Sequence, residues 1–156
     1  YRRVDEGGYK IAQDYLFYQH KNQVDNGKSK KFTTPDYVQD MLSAFYFART
    51  TDMRNAKVGD QIGVTTFIDD EIFTQKIKFL GRETISIRSG TYRCLKFAPV
   101  VQRGRVFKDE EDLLVYISDD ENKVLVLGQA QVLVGSIKME LSSYKGLANP
   151  LARIKN

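Results

Sequence analysis

The run Gln61-Ile62-Gly63-Val64-Thr65-Thr66-Phe67-Ile68-Asp69-Asp70-Glu71-Ile72-Phe73-Thr74-Gln75-Lys76-Ile77-Lys78-Phe79-Leu80 decides the fold. β-Branched and aromatic residues dominate 61–68 and 72–80, and the pair Asp69-Asp70 between them suits a tight hairpin reversal. Further strand patterns cover 84–88 and 91–101, separated by Gly81-Arg82 and Ser89-Gly90, so the middle of the chain reads as an antiparallel meander.

Downstream, 112–118 is a strand, Asp119-Asp120-Glu121-Asn122 its turn, and 123–127 the return. Gly128 and Gly135 interrupt a strand pattern that runs from 123 to 144, which fits either one bent strand or two. Upstream, residues 9–24 set Tyr9, Ile11, Tyr15 and Phe17 against Lys10, Asp14 and Tyr18, an alternation that predicts one strand. Asn26-Gly27 then predicts a type I′ reversal, with 28–33 returning.

One segment departs from this pattern. Thr34-Pro35-Asp36 combines a helix cap, a proline suited to the first helical position and a first-turn acid. Val38, Met41, Leu42, Phe45 and Ala48 recur at three- and four-residue spacing, with Asp40 and Ser43 turned away. An amphipathic helix over about 35–49 is expected, its apolar stripe packed on the concave face of the sheet. The fold class is therefore mostly β (α+β): a curved antiparallel meander, sandwich or incomplete barrel with one helix. A single domain over 1–156 is expected, since no repeat or low-complexity linker divides the chain.

Composition narrows the function. Of 156 residues, 42% are apolar and 28% charged with signs interspersed, which suits a packed domain rather than a disordered chain. The net charge of +4 invites a nucleic-acid reading, but the densest basic run is only Lys28-Ser29-Lys30-Lys31, beside a turn, where lysines keep a strand edge soluble. No nucleic-acid partner is expected. No apolar run approaches the ~20 residues of a membrane helix, and no transmembrane segment is expected.

Candidate chemical groups are few. Cys94 is the one cysteine, and alternation places it with Tyr92 and Lys96, opposite Arg93, Leu95 and Phe97; a buried, inert thiol is expected. His20 is the one histidine and has no nucleophile motif beside it, so no catalytic residue is assigned. The acids Asp109-Glu110-Glu111-Asp112 and the turn 119–122 supply hard oxygen donors, but Val124 stands where a calcium loop opening at Asp119 needs glycine. They read as solvated turns, with Gln102-Arg103-Gly104-Arg105 offering charge partners to the first group. No metal site is assigned and no cofactor is expected. Gly7-Gly8 reads as a turn.

The stretch Asp40-Met41-Leu42-Ser43-Ala44-Phe45-Tyr46-Phe47-Ala48-Arg49, with Val106-Phe107-Lys108-Asp109-Glu110-Glu111-Asp112-Leu113, resembles an uncharacterised bacterial family, domain of unknown function 3108. The likeness continues through Ile117-Ser118-Asp119-Asp120-Glu121-Asn122 and Leu133-Val134-Gly135-Ser136-Ile137-Lys138-Met139-Glu140-Leu141. The resemblance implies an exported protein of a Gram-negative envelope, in the periplasm or cell envelope, with a β-rich YmcC-like fold. More distantly it implies likeness to the curved sheets with which periplasmic lipoprotein carriers hold acyl chains, an analogy of fold alone. Two departures stand out. Strands that precede the position of Tyr1 in family members are missing, so the chain resembles a C-terminal portion; and Lys123-Val124-Leu125 replaces a usual proline.

The function expected is a non-enzymatic envelope role: binding an apolar or amphipathic ligand such as a lipid, or an envelope protein, at the aromatic residues Phe45, Tyr46 and Phe47. The rival expectation is an envelope hydrolase or polysaccharide-modifying enzyme with two converging carboxylates. The strand over 9–24 is further expected to need a neighbour from outside this chain: upstream residues of the full protein, or a second copy or partner chain.

Overall fold

The computed structural model describes residues 1–100, 113–131 and 135–154. Among the described residues 54% lie in strands and 8% in helices, in antiparallel sheets that do not close into a barrel, which establishes the mostly β class. The chain forms two compact units, Tyr1–Phe47 with Val64–Thr74, and Ala48–Gly63 with Gln75–Asn156.

In the first unit, β1 (Arg2–Glu6) and β2 (Tyr9–Gln13) form a hairpin around Gly7-Gly8. A second sheet has the order β3 (Leu16–Tyr18), β4 (Gln23–Asp25), β5 (Lys31–Thr33). The single strand expected over 9–24 is therefore three short ones. Asn22, with φ of 49°, ends a 3-10 turn at Gln19–Lys21 and redirects the backbone before β4. Residues 9–13 of this region pair with β1, a neighbour that the chain itself supplies.

Asn26-Gly27 does sit at a reversal, but Asp25 faces Lys31, so the loop is longer than a two-residue turn. Asn26 organises it: its Oδ1 accepts from the amides of Lys28 (3.0 Å) and Lys30 (3.3 Å), and its Nδ2 donates to Asp70 Oδ2 (2.9 Å). The core of this unit is Val24, Val38 and Phe67, with Tyr15, Phe17 and Phe32 against them. Edge-on ring contacts of 5.0–6.2 Å converge on Phe67 from those three aromatics, the preferred aromatic geometry.

The expected helix is present as α1 (Met41–Ala48). Pro35 does not open it, because Tyr37 takes a left-handed φ of 57° and residues 38–39 run extended, with Gln39 bridging Thr66. Asp40 is the cap instead. Its Oδ1 accepts from the amides of Leu42 (2.8 Å) and Ser43 (3.0 Å), and Ser43 Oγ accepts from the Asp40 amide (2.9 Å), a reciprocal capping box. Thr34 serves β5, its amide donating to the Asn22 carbonyl at 2.8 Å.

The second unit is built on a seven-stranded sheet. Its path runs β6 (Gln61–Ile68), β7 (Glu71–Ile87), β8 (Gly90–Val100), β9 (Leu113–Ser118), β10 (Leu125–Gln131), β11 (Ser136–Glu140), with β12 (Arg153–Ile154) beside β8. Residues 64–74 of β6 and β7 count with the first unit. Asp69 and Asp70, with φ of 56° and 64°, make the expected reversal. The reversal expected at Gly81-Arg82 is instead a bulge within β7, where the pairing with β8 shifts between Phe79 and Gly81. Gly81 adopts φ of 129°, a conformation that glycine alone reaches without strain, so it bends the strand without ending it. The ambiguity between 123 and 144 resolves into two antiparallel strands, β10 and β11.

Both faces of the central strand β8 are buried, which explains why alternation alone could not orient it. Leu95 and Phe97 join Phe79 and Met53 in one cluster; Tyr92 and Cys94 join Tyr116, Val126 and Leu127 in another. Ala56 packs on the first cluster, and Leu141 and Leu151 on the second. The acidic stretch 109–112 and the basic stretch 102–105 lie outside the described residues.

Candidate functional site

A helix of this length that is apolar on every side normally vanishes into a core. In α1 the polar side chain is Ser43, yet no residue of the helix is buried. Met41 is 62% exposed, Leu42 74%, Phe45 48%, Tyr46 67% and Phe47 39%. Tyr37, just upstream, is also exposed. Of the stripe expected to pack on the sheet, Val38 alone is buried, and it precedes the helix. The reason is geometric: Val38 belongs to the extended segment that enters the Phe67 cluster, while the helix begins only after the chain has left it.

The three residues singled out for ligand contact, Phe45, Tyr46 and Phe47, thus sit together on α1 and are all exposed. Met41, Leu42 and Tyr37 extend the apolar surface around them, which corrects the spacing-based expectation that Met41, Leu42 and Phe45 pack on the sheet. Asp40 is held ionised at the N-terminal end. Partial burial works against its charge, but hydrogen bonds from Ser43 and Leu42 outweigh it and lower the carboxyl below its ordinary value.

The turn at 119–123 is a structural hub rather than a solvated loop. Asp120 Oδ1 accepts from Ser118 Oγ (3.1 Å) and from the amides of Asn122 (2.8 Å) and Lys123 (3.2 Å), while its Oδ2 accepts from the Ala152 amide (2.6 Å). Asn122, 7% exposed, donates through Nδ2 to the Asn149 carbonyl (2.9 Å) and accepts the Asn149 amide on Oδ1 (3.1 Å). Lys123 Nζ donates to the carbonyls of Arg49 and Thr51. These carboxylate and amide oxygens are occupied by protein donors. Among the described residues no group of three or more His, Cys, Asp or Glu is gathered as a metal site.

Cys94 is fully buried, and burial, with Asp119, Asp120 and Glu83 adding to it, pushes its thiol up to about 12. Its Sγ lies 3.7 Å from the Tyr92 carbonyl. His20 is exposed in the 3-10 turn, its ring 6.5 Å from that of Tyr18.

An open cleft lies in the other unit, lined by Gly90, Thr91, Tyr144, Pro150, Leu151, Arg153 and Ile154. No carboxylate lines it, so it does not supply the acid pair a glycosidase needs. Sequence reading missed this cleft because its wall is the C-terminal segment, which shows no strand periodicity before β12.

The sequence profile of the family described as "Protein of unknown function (DUF3108)" matches residues 1–142. The chain belongs to this family. No curated protein and no solved structure matches the chain significantly. No helix among the described residues is long and apolar enough to cross a membrane.

Proposed function

We propose that this DUF3108 domain is a non-catalytic binding module of the cell envelope that takes an apolar or amphipathic ligand, of the lipid class, on helix α1. The observation that carries the reading is the exposure of Met41, Leu42, Phe45, Tyr46 and Phe47 on one short helix. Contiguous apolar surface of this kind marks an interaction site. Covering the exposed parts of these five side chains is worth about 5–7 kcal/mol gross, before the costs of association, which suffices for a reversible complex.

The chemistry of the helix favours an acyl chain over a charged ligand. Its side chains offer hydrocarbon, aromatic faces, one phenol and the Ser43 hydroxyl of the cap, and the charges that flank it in sequence are engaged, Asp40 in the helix cap and Arg49 on the Asn122 carbonyl. The family resemblance described above supports the envelope location.

Native mass spectrometry with lipid extraction, on protein purified from its own envelope, tests the reading. The wild type is expected to carry an extractable lipid adduct that Leu42→Glu/Tyr46→Glu loses. A wild type free of adducts, or a double variant that keeps them, contradicts it.

A further inference from the structure

The edge of the larger sheet carries a second, independent surface. β11 is the last strand on the sheet path, and all five of its residues are exposed. The Leu141 amide donates to the Val126 carbonyl at 2.9 Å, so residue 141 and, by antiparallel alternation, residues 139 and 137 turn their backbone groups towards β10. Ser136, Lys138 and Glu140 therefore point their amides and carbonyls away from the sheet. Among the described residues no strand pairs with that edge. Ile137 and Met139 are 63% and 59% exposed.

We infer that β11 is a dimerisation edge at which two copies of this chain pair antiparallel, in the register that sets Met139 opposite Met139. The register is chosen by charge. With Met139 on the two-fold axis, Lys138 of each copy faces Glu140 of the other, and Ile137 faces Leu141. The four outward backbone groups of residues 138 and 140 then exchange hydrogen bonds across the axis. Moving the axis to Lys138 sets lysine opposite lysine, which opposite-strand pairing disfavours. A lone central lysine is a usual guard on an exposed edge. Here Glu140, two residues away, neutralises that guard for one partner in one register, which makes the edge selective for a second copy.

Chemical crosslinking tests the register and charge exchange tests its cause. With Met139 on the axis, the two residues 139 form a non-hydrogen-bonded pair with Cα atoms ~4.5 Å apart, within disulfide reach. Met139→Cys is expected to give a disulfide-linked dimer under mild oxidation, at least tenfold faster than Lys138→Cys; Cys94, fully buried, stays out of the reaction. In sedimentation equilibrium, Lys138→Glu and Glu140→Lys are each expected to weaken the dimer about tenfold or more, because two opposite-charge pairs become like-charge pairs. The double exchange Lys138→Glu/Glu140→Lys is expected to return the affinity to within about threefold of wild type.

Circular dichroism on dilute protein confirms that each variant is folded. A wild type that stays monomeric at millimolar concentration, equal crosslinking at 138 and 139, or a double exchange no better than the single variants overturns the inference.

Discussion

Asp120→Ala removes the acceptor at the centre of the 119–123 turn, and the loss follows from the bonds it makes. Three backbone amides, of Asn122, Lys123 and Ala152, and one hydroxyl, of Ser118, donate to its carboxylate. The hydroxyl can rotate to another acceptor; the amides cannot. Bonds to a charged acceptor are worth about 1.5–3 kcal/mol each when buried, but the site is partly open to water, so about 1 kcal/mol per amide is the better figure. The expected loss is about 3 kcal/mol. Asp120→Asn retains one oxygen for the Asn122 and Lys123 amides but sets an NH2 group against the Ala152 amide, so it should lose about half as much. Urea unfolding followed by circular dichroism reads both, as a midpoint shift of about 1–2 M for the alanine variant at unchanged slope. A loss under 1 kcal/mol for Asp120→Ala, or an asparagine variant as unstable as the alanine one, would refute the hub.

The cost of truncation should follow exposure: Leu42→Ala, 74% exposed, is expected to change stability by less than about 0.5 kcal/mol, whereas Phe79→Ala, 1% exposed, should cost about 3–5 kcal/mol in the same urea assay. Cys94 is expected to resist a thiol reagent at pH 8 in the native protein and to react fully in urea, since its thiol is buried and raised to about 12; fast native labelling would show that it is reachable. The Asp40 cap should depend on pH. Its folded value lies below the unfolded one, so the cap stabilises above ~4 and fades as pH falls through the folded value. The stability gap between wild type and Asp40→Ala, about 1 kcal/mol at pH 6, should therefore narrow by pH 3; a gap that widens in acid would contradict the assignment.

The regular strands were legible because their periodicity is strong. β6 spans the residues that alternation and β-branching marked, and β8 and β9 agree to within a residue or two where the chain is described. What sequence could not show depends on contacts distant along the chain. Gly81 looks like a turn glycine but serves as a bulge, because the loop at 59–60 bonds the backbone of Phe79 and holds the strand through it. Thr34-Pro35 carries every local sign of a helix start, yet the left-handed Tyr37 and the pairing of Gln39 with residues 65 and 67 keep 38–39 extended. The polar turn at 119–122 reads as solvated until residues 149–152 return to it. For α1, spacing correctly placed apolar residues on a helix but could not say whether protein covers them. Spacing therefore puts Met41, Leu42 and Phe45 alike in a core stripe, and their exposure overturns that for all three.

The central claim is that α1 is the ligand-binding surface, and backbone chemical shifts read it residue by residue. A lysophospholipid titrated into the isotope-labelled domain, below its critical micelle concentration, is expected to shift resonances of residues 37–48 in a saturable manner and to leave Thr91, Tyr144, Leu151 and Ile154 in place. Shifts centred on those cleft residues, or none that saturate, would contradict it.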